Sequence, residues 1–231
     1  MKFRYGNFDY EKSFHSFVPQ IQTMEVKERI LVKAHELFNR YGIRSVSMDD
    51  LAGHLGVSKK TLYQYYTDKE ELVDAIFCTI MEGNRSSCTQ NKKVAENAVH
   101  ELFLAFDMIQ EMFSNMNPSI LFDMEKYHPA VYQKFKEYKN GFMYQMIKQN
   151  LERGVREESY RKEIDIDIIT RYRIESISMA FNSEVFPGNR TQLLKIQQEL
   201  LDHFLHGLAT AKGHKLIEKY KQQRSKKLSL L

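Results

Sequence analysis

The run from Ser47 to Lys69, SMDDLAGHLGVSKKTLYQYYTDK, constrains this chain more than any other stretch. It reads as two short helices joined by a tight turn and followed by the start of a third. Ser47 is a good N-cap, and Asp49 and Asp50 fall in the first turn, where the helix dipole favours acidic groups. Leu51, Ala52 and Leu55 supply one apolar face. Gly56 ends that helix in the left-handed conformation that a side chain resists, and Val57 plugs the corner. Ser58 caps the next helix, where Leu62 and Tyr66 fall four apart on the inner face. Lys59, Lys60, Tyr63, Gln64 and Tyr65 are left on the outer and flanking faces.

This is the pattern of a helix-turn-helix, whose second helix can enter the major groove of DNA. Lysines and tyrosine hydroxyls suit phosphates, and Gln64 suits a base edge. Thr61 is small enough to lie near a thymine methyl or within the helix packing. An ordinary helical hairpin with a solvated polar face has the same composition, so composition leaves the two readings open.

The longer run separates them. GVSKKTLYQYYTDKEEL, with the preceding ERILVKAHELFNRYGIRSVSMDDLAGHLG, closely resembles the N-terminal DNA-binding domain of TetR-family transcriptional regulators. The resemblance covers roughly residues 26 to 77. It includes a first helix ending in Phe38 and Tyr41-Gly42, the Ser-Met-Asp-Asp-Leu-Ala opening, Gly-Val-Ser-Lys, Leu-Tyr, and Lys69-Glu70 opening a fourth helix. Lys60 departs from the small residue that the family often has there, and Tyr66 from the usual Phe, so its hydroxyl needs an exit or a partner. The resemblance implies an all-α fold: a three-helix DNA-binding domain joined by a linking helix to a helical domain for ligand binding and dimerisation. The DNA-binding candidates are Arg44, Ser47, Ser58, Lys59, Lys60, Thr61, Tyr63, Gln64, Tyr65 and Lys69.

A length of 231 residues suits that pair of domains, and a 42% hydrophobic content suits a globular chain. The net charge of +4 permits DNA binding without requiring it, since a local patch matters more than the sum. Cys78 and Cys88 are too few for a disulfide scaffold and lack zinc-ligand spacing. No apolar run of membrane-spanning length and no signal-peptide core are present, so a cytoplasmic protein is expected.

Residues 1–23 interleave aromatics with charges and have no clear period; they read as a disordered extension, with an arm that packs on a partner or on DNA as the alternative. Residues 24–70 read as the DNA-binding domain, with the linking helix continuing to about 85. Gly83 and the polar run Asn84 to Lys93 read as the break between domains. Residues 86–212 read as a helical effector and dimerisation domain, broken at Asn117-Pro118, Tyr127-His128-Pro129 and Phe186-Pro187-Gly188-Asn189. One helix is expected over about 129–157. The basic residues 213–231 read as a tail that frays, or as an extra helix to about Lys221.

The last two long helices are the candidates for a homodimer interface, through Ile168, Tyr172, Met179, Leu194, Leu201, Phe204, Leu205 and Leu208, in a four-helix bundle between two copies. The middle helices are expected to enclose an effector pocket lined by Phe103, Phe106, Asp107, Met112, Phe113, Phe122, Tyr127, Tyr138, Phe142 and Met146. Such a lining suits a small hydrophobic or aromatic effector, although stripes of this kind also build plain cores. Asp107 is the more specific candidate, for a cationic group.

The expected function is a ligand-responsive repressor that binds a palindromic operator in double-stranded DNA. An activator of the same fold, a helical enzyme and a protein-interaction module are the alternatives. His203 and His206, beside Asp202, put two imidazoles about one turn apart that could begin a metal site, but no third ligand is evident. No Gly-rich phosphate loop or nucleophile elbow occurs. No cofactor, no metal and no enzymatic activity are therefore expected.

Overall fold

The computed structural model describes residues 25–114, 116–182, 184–187 and 190–229. The expected extension over residues 1–23 lies outside the described residues, as do Gly188 and Asn189 of the expected turn.

Three helices open the fold: α1 (Val26–Tyr41), α2 (Met48–Leu55) and α3 (Lys59–Tyr65). The long helix α4 (Lys69–Val94) follows. Local chemistry sets each boundary. Gly42 ends α1 at a φ of 85°, a region that favours glycine. A Cβ there would also stand 2.8 Å from Ser119 Oγ and 3.1 Å from Asp123 Oδ2, so a side chain is excluded on two grounds. Ser47 and Asp50 form a reciprocal capping box at the start of α2, and Gly56 ends it at a φ of 66°. Ser58 accepts the Thr61 N–H to cap α3, and Asp68 accepts the Glu71 N–H to cap α4. Ile30, Leu51, Leu62 and Leu72, one from each helix, meet with almost no exposure in a single core.

The linking helix runs past the expected break, continuing from Gly83 through the polar run to Val94. Those polar residues are helical because part of the run is covered: Asn84 and Ser87 are buried, and Asn91 Nδ2 donates to the Leu104 carbonyl of the next helix. Ser87 and Thr89 hydroxyls bond back to carbonyls four residues earlier, so they do not compete with the helix.

The remaining helices are α5 (Ala98–Ser114), α6 (Ile120–Tyr127), α7 (Pro129–Tyr138), α8 (Tyr144–Arg156), α9 (Ile166–Met179), α10 (Arg190–Leu208) and α11 (Ala211–Ser229). A π-helical turn, Lys139–Met143, joins α7 to α8, so the expected helix over 129–157 is continuous but widened around Gly141. Pro129 starts α7 as its missing N–H favours. Asp165 caps α9 by accepting the Ile168 N–H.

The basic C-terminal stretch takes the helical alternative and runs beyond Lys221. It forms α11 and packs on α5, with Ile217 and Tyr220 buried. Tyr220 Oη accepts from Asn97 Nδ2 and donates to Glu96, while Arg224 pairs with Asp107 at 2.6 Å. A basic composition suggested fraying; two apolar residues three apart and an acidic partner on α5 hold the helix instead.

Tyr160, 1% exposed, lies in a second core with Phe103, Leu151 and Ile217, its ring close against Gly154. A Cβ at Gly154 would stand 1.9 Å from the ring, so glycine there is a packing requirement. Tyr160 Oη donates to Asn150 Oδ1, and Asn150 Nδ2 donates to the Ala98 carbonyl at the start of α5. Among the described residues no helix is long and apolar enough to cross a membrane.

Ile217→Ala should destabilise the chain by about 2–5 kcal/mol, the usual cost of truncating a buried aliphatic residue. Urea unfolding measures it; a loss under about 0.5 kcal/mol would mean that the C-terminal helix is dispensable.

Candidate nucleic-acid interface and effector cavity

Helix α3 turns Leu62 inward, and Tyr66 just beyond its end is also buried. Burial pushes the Tyr66 phenol up to about 12. Lys59, Lys60, Tyr63, Gln64 and Tyr65 are exposed together on the opposite side. Thr61 is half-buried, its Oγ1 2.8 Å from Ser58 Oγ. The outer face of α3 therefore carries two ammonium groups, two phenols and one amide, all available to a partner. Lys59 Nζ sits 2.7 Å from Asp49 Oδ1, but both side chains are well exposed, and such a pair exchanges readily for another anion.

Ser47 is exposed beside this face and committed to its cap. Its hydroxyl accepts the Asp50 N–H and donates to Asp50 Oδ2 at 2.6 Å. The Ser47 hydroxyl and N–H together hold the Asp50 carboxyl below the usual aspartate range. Arg44 is exposed in the loop before α2, with its guanidinium 5.1 Å over the Tyr127 ring. Lys69 departs from expectation. Its Nζ donates to the Ile43 carbonyl at 2.6 Å and lies over the Phe38 ring, and burial pushes its pKa down. It ties the start of α4 to the loop after α1 and does not project with the α3 side chains.

Behind the three-helix unit lies a cavity of about 740 Å³. Its walls come from α1 (His35, Asn39), α4 (Ile80, Asn84), α5 (Ile109, Met112), α6 (Leu121, Met124), the α7–α8 segment (Phe142, Met146) and α9 (Arg173, Ile177). Of the side chains expected at a pocket, Phe106, Met112, Phe113, Tyr138, Phe142 and Met146 line it. Phe103, Asp107, Phe122 and Tyr127 do not. Phe103 and Asp107, four apart on α5, face α11, where Phe103 packs by Tyr220 and Asp107 pairs with Arg224. Phe122 is 56% exposed on the outer side of α6, and Tyr127 lies under Arg44. The sequence reading missed Arg173 and Asn84. Arg173 looked like one more surface charge among several, and Asn84 lay inside a polar run taken for a linker.

Residues 30–76 match the family described as bacterial regulatory proteins, tetR family. Over this stretch the chain carries a helix-turn-helix unit of the tetR-family type. It is similar to an uncharacterised HTH-type transcriptional regulator, YvaF of Bacillus subtilis, with 31% identity over 104 residues. That match covers 44% of this chain and about half (53%) of that protein. It is also similar to the HTH-type transcriptional repressor KstR2 of Mycolicibacterium smegmatis, with 20% identity over 82% of this chain and 93% of that one. Among solved structures, a regulator from Saccharomonospora viridis in complex with choline shares the fold at a TM-score of 0.63 and 16% identity, over 80% of this chain and 97% of that one.

The surface expected to pair two copies of this chain divides in two. Ile168, Tyr172 and Met179 of α9 are 64%, 47% and 38% exposed. Leu201, Phe204, Leu205 and Leu208 of α10 are buried within their own chain, and Leu194 is half-buried beside Phe113 and Leu193. The α10 stripe is core because α5 and α11 cover it; an apolar stripe shows which face is buried and not what buries it.

Ser47→Ala should cost about 1 kcal/mol by removing the cap. Because the Asp50 carboxyl is held low in the folded state, its contribution is present above the ordinary aspartate range and lost as pH falls through its depressed value. Asp50→Asn should therefore flatten the acid limb of stability, measured by urea midpoints across pH; an unchanged limb would remove Asp50 from that balance.

Proposed function

We propose that the protein is a repressor that binds a palindromic operator as a homodimer and is released when a small hydrophobic or aromatic molecule enters the cavity. One observation carries this reading: the cavity wall includes α6, and α6 is hydrogen-bonded to the loop that leads into the DNA-reading helices. Asp123 Oδ2 accepts the Arg44 N–H at 3.1 Å and the Ser119 hydroxyl at 3.3 Å. Leu121 and Met124 of the same helix line the cavity. A molecule that displaces these side chains moves α6, and with it the loop carrying Arg44 and the cap of α2. The linking helix α4 also lines the cavity and shifts with its contents. Two recognition helices held about one DNA turn apart, roughly 34–36 Å, then lose their spacing.

The division of labour follows. Arg44 and the exposed groups of α3 form the DNA face, with Tyr63 and the lysines on phosphates and Gln64 on a base edge. Residues up to 70 read the operator, and the later helices bind the effector and the partner copy. The exposed α9 side chains Ile168, Tyr172 and Met179 are the dimer contacts, next to the outer side of α10. The KstR2 relative supports repression as the mode of action. The choline complex of the structural neighbour supports a small-molecule effector for this fold.

Selection of sites from random duplex DNA at fixed salt should enrich a palindrome with half-sites about one helical turn apart; no enrichment at low salt would sink the DNA-reading proposal. On the selected site, Arg44→Ala should weaken binding to all sequences alike and reduce the salt slope by about one, whereas Gln64→Ala should relax preference at one position.

The coupling has its own test. Asp123→Ala should leave a protein that binds the operator but releases it poorly when the effector is added, read by fluorescence anisotropy of labelled DNA. Because coupling is reciprocal, operator DNA should weaken effector binding to the parent protein by the same factor. Unaltered release by the variant would remove α6 from the path.

A further inference from the structure

Arg173 is 4% exposed and lines the cavity from α9. A guanidinium has five donors and no acceptor. Here Nη1 reaches only the Ser176 hydroxyl, at 3.5 Å, and the group stacks 5.2 Å from the Phe204 ring. Among the described residues no carboxylate forms an ion pair with it. Burial lowers its pKa to about 10, which leaves it charged at neutral pH. A buried charge without a counter-ion is costly unless something completes it.

The other charged groups of the wall are already engaged. Glu36 pairs with Lys33, Glu101 with Arg153, and Lys139 with Glu175. His35, Arg40 and Glu111 also have partners of their own. The wall holds a second incomplete polar group, on a different helix. Asn84 Oδ1 is buried with no hydrogen-bond partner, and its Nδ2 has only the Met112 sulfur, at 3.6 Å. The two ends of an amide interchange easily, so Asn84 can offer a ligand either an acceptor or a donor. The rest of the wall is mostly aliphatic, aromatic and Met side chains.

We infer that the cavity takes an apolar carboxylic acid, with its carboxylate paired to Arg173, its body among the Met and aromatic side chains, and Asn84 free to bond a further polar atom. The inference rests on the effector reading above and adds the sign of the head group. It sets this cavity apart from one that holds a cation such as choline, which a buried guanidinium repels. A carboxylate matches the planar fork of the guanidinium through two parallel bonds.

The test is calorimetric titration of the full chain with matched probes: octanoate, octan-1-ol and octyltrimethylammonium, then 4-phenylbutyrate and 4-phenylbutan-1-ol. At least one acid should bind tenfold or more tightly than its alcohol, the scale expected for hydrogen bonds to a buried charge. Arg173→Gln should abolish that preference while leaving the alcohol within about threefold, since apolar burial is untouched. Arg173→Lys should keep part of the preference. An alcohol or the ammonium binding as tightly as the acid, or a preference that survives Arg173→Gln, would overturn the assignment and leave the effector reading standing. Failure of every probe to bind would overturn both. If Arg173→Gln does not fold, the head-group comparison on the unaltered protein and the lysine variant still decide the question.

Discussion

The hydrogen bond from the Arg44 N–H to Asp123 is where the two halves of this molecule meet, and much else depends on its being possible. It requires Gly42, because any Cβ there would collide with Ser119 and crowd Asp123. It requires Asp123 to be buried, which its hydrogen bonds to the Arg44 amide and the Ser119 hydroxyl make tolerable. It also requires α6 to be short and to present Met124 to the N-terminal core on one side while Asp123 meets the loop. Lys69 strengthens the same junction by bonding the Ile43 carbonyl, and His128 does so by pairing with Glu70. The junction is thus a set of directional bonds across a packed surface. Such a surface repacks as a unit and does not deform smoothly.

A cavity next to such a junction costs stability, since its lining forgoes the contacts that close packing would give. The chain offsets this with strong packing elsewhere. Tyr160 against Gly154 and the docking of Ile217 and Tyr220 on α5 place rigid core on the far side of α5 from the cavity. The incomplete polar groups, Arg173 and Asn84, face the cavity from α9 and α4.

The helix-turn-helix was legible residue by residue because its determinants are local. Ser47, Gly56, Ser58 and Asp68 act within four residues of their own positions, and each does in the fold what its type suggests. The outward set on α3 follows from the spacing of Leu62 and Tyr66. The contact that Lys69 makes was not legible because its partner, the Ile43 carbonyl, lies 26 residues away. The pocket was legible in part. Phe106, Met112 and Phe113 fall on the correct face of α5, but Phe103 and Asp107 belong to a neighbouring face whose partner, α11, lies far along the chain. The polar run after Gly83 misled for a similar reason: burial by α5 turned an apparent linker into continuous helix.

By itself the sequence determined the helix class, the caps, the turns and the identity of the DNA-reading unit, all of which rest on interactions a few residues long. Tertiary structure alone decided which apolar stripes meet each other, that the α10 leucines are core while Ile168 and Tyr172 stay exposed, and that Arg173 lies buried at a cavity without a counter-ion. The reason is geometric. Periodicity fixes which side of a helix is turned inward, whereas the partner on that side, and any space left between them, depends on how separate helices cross.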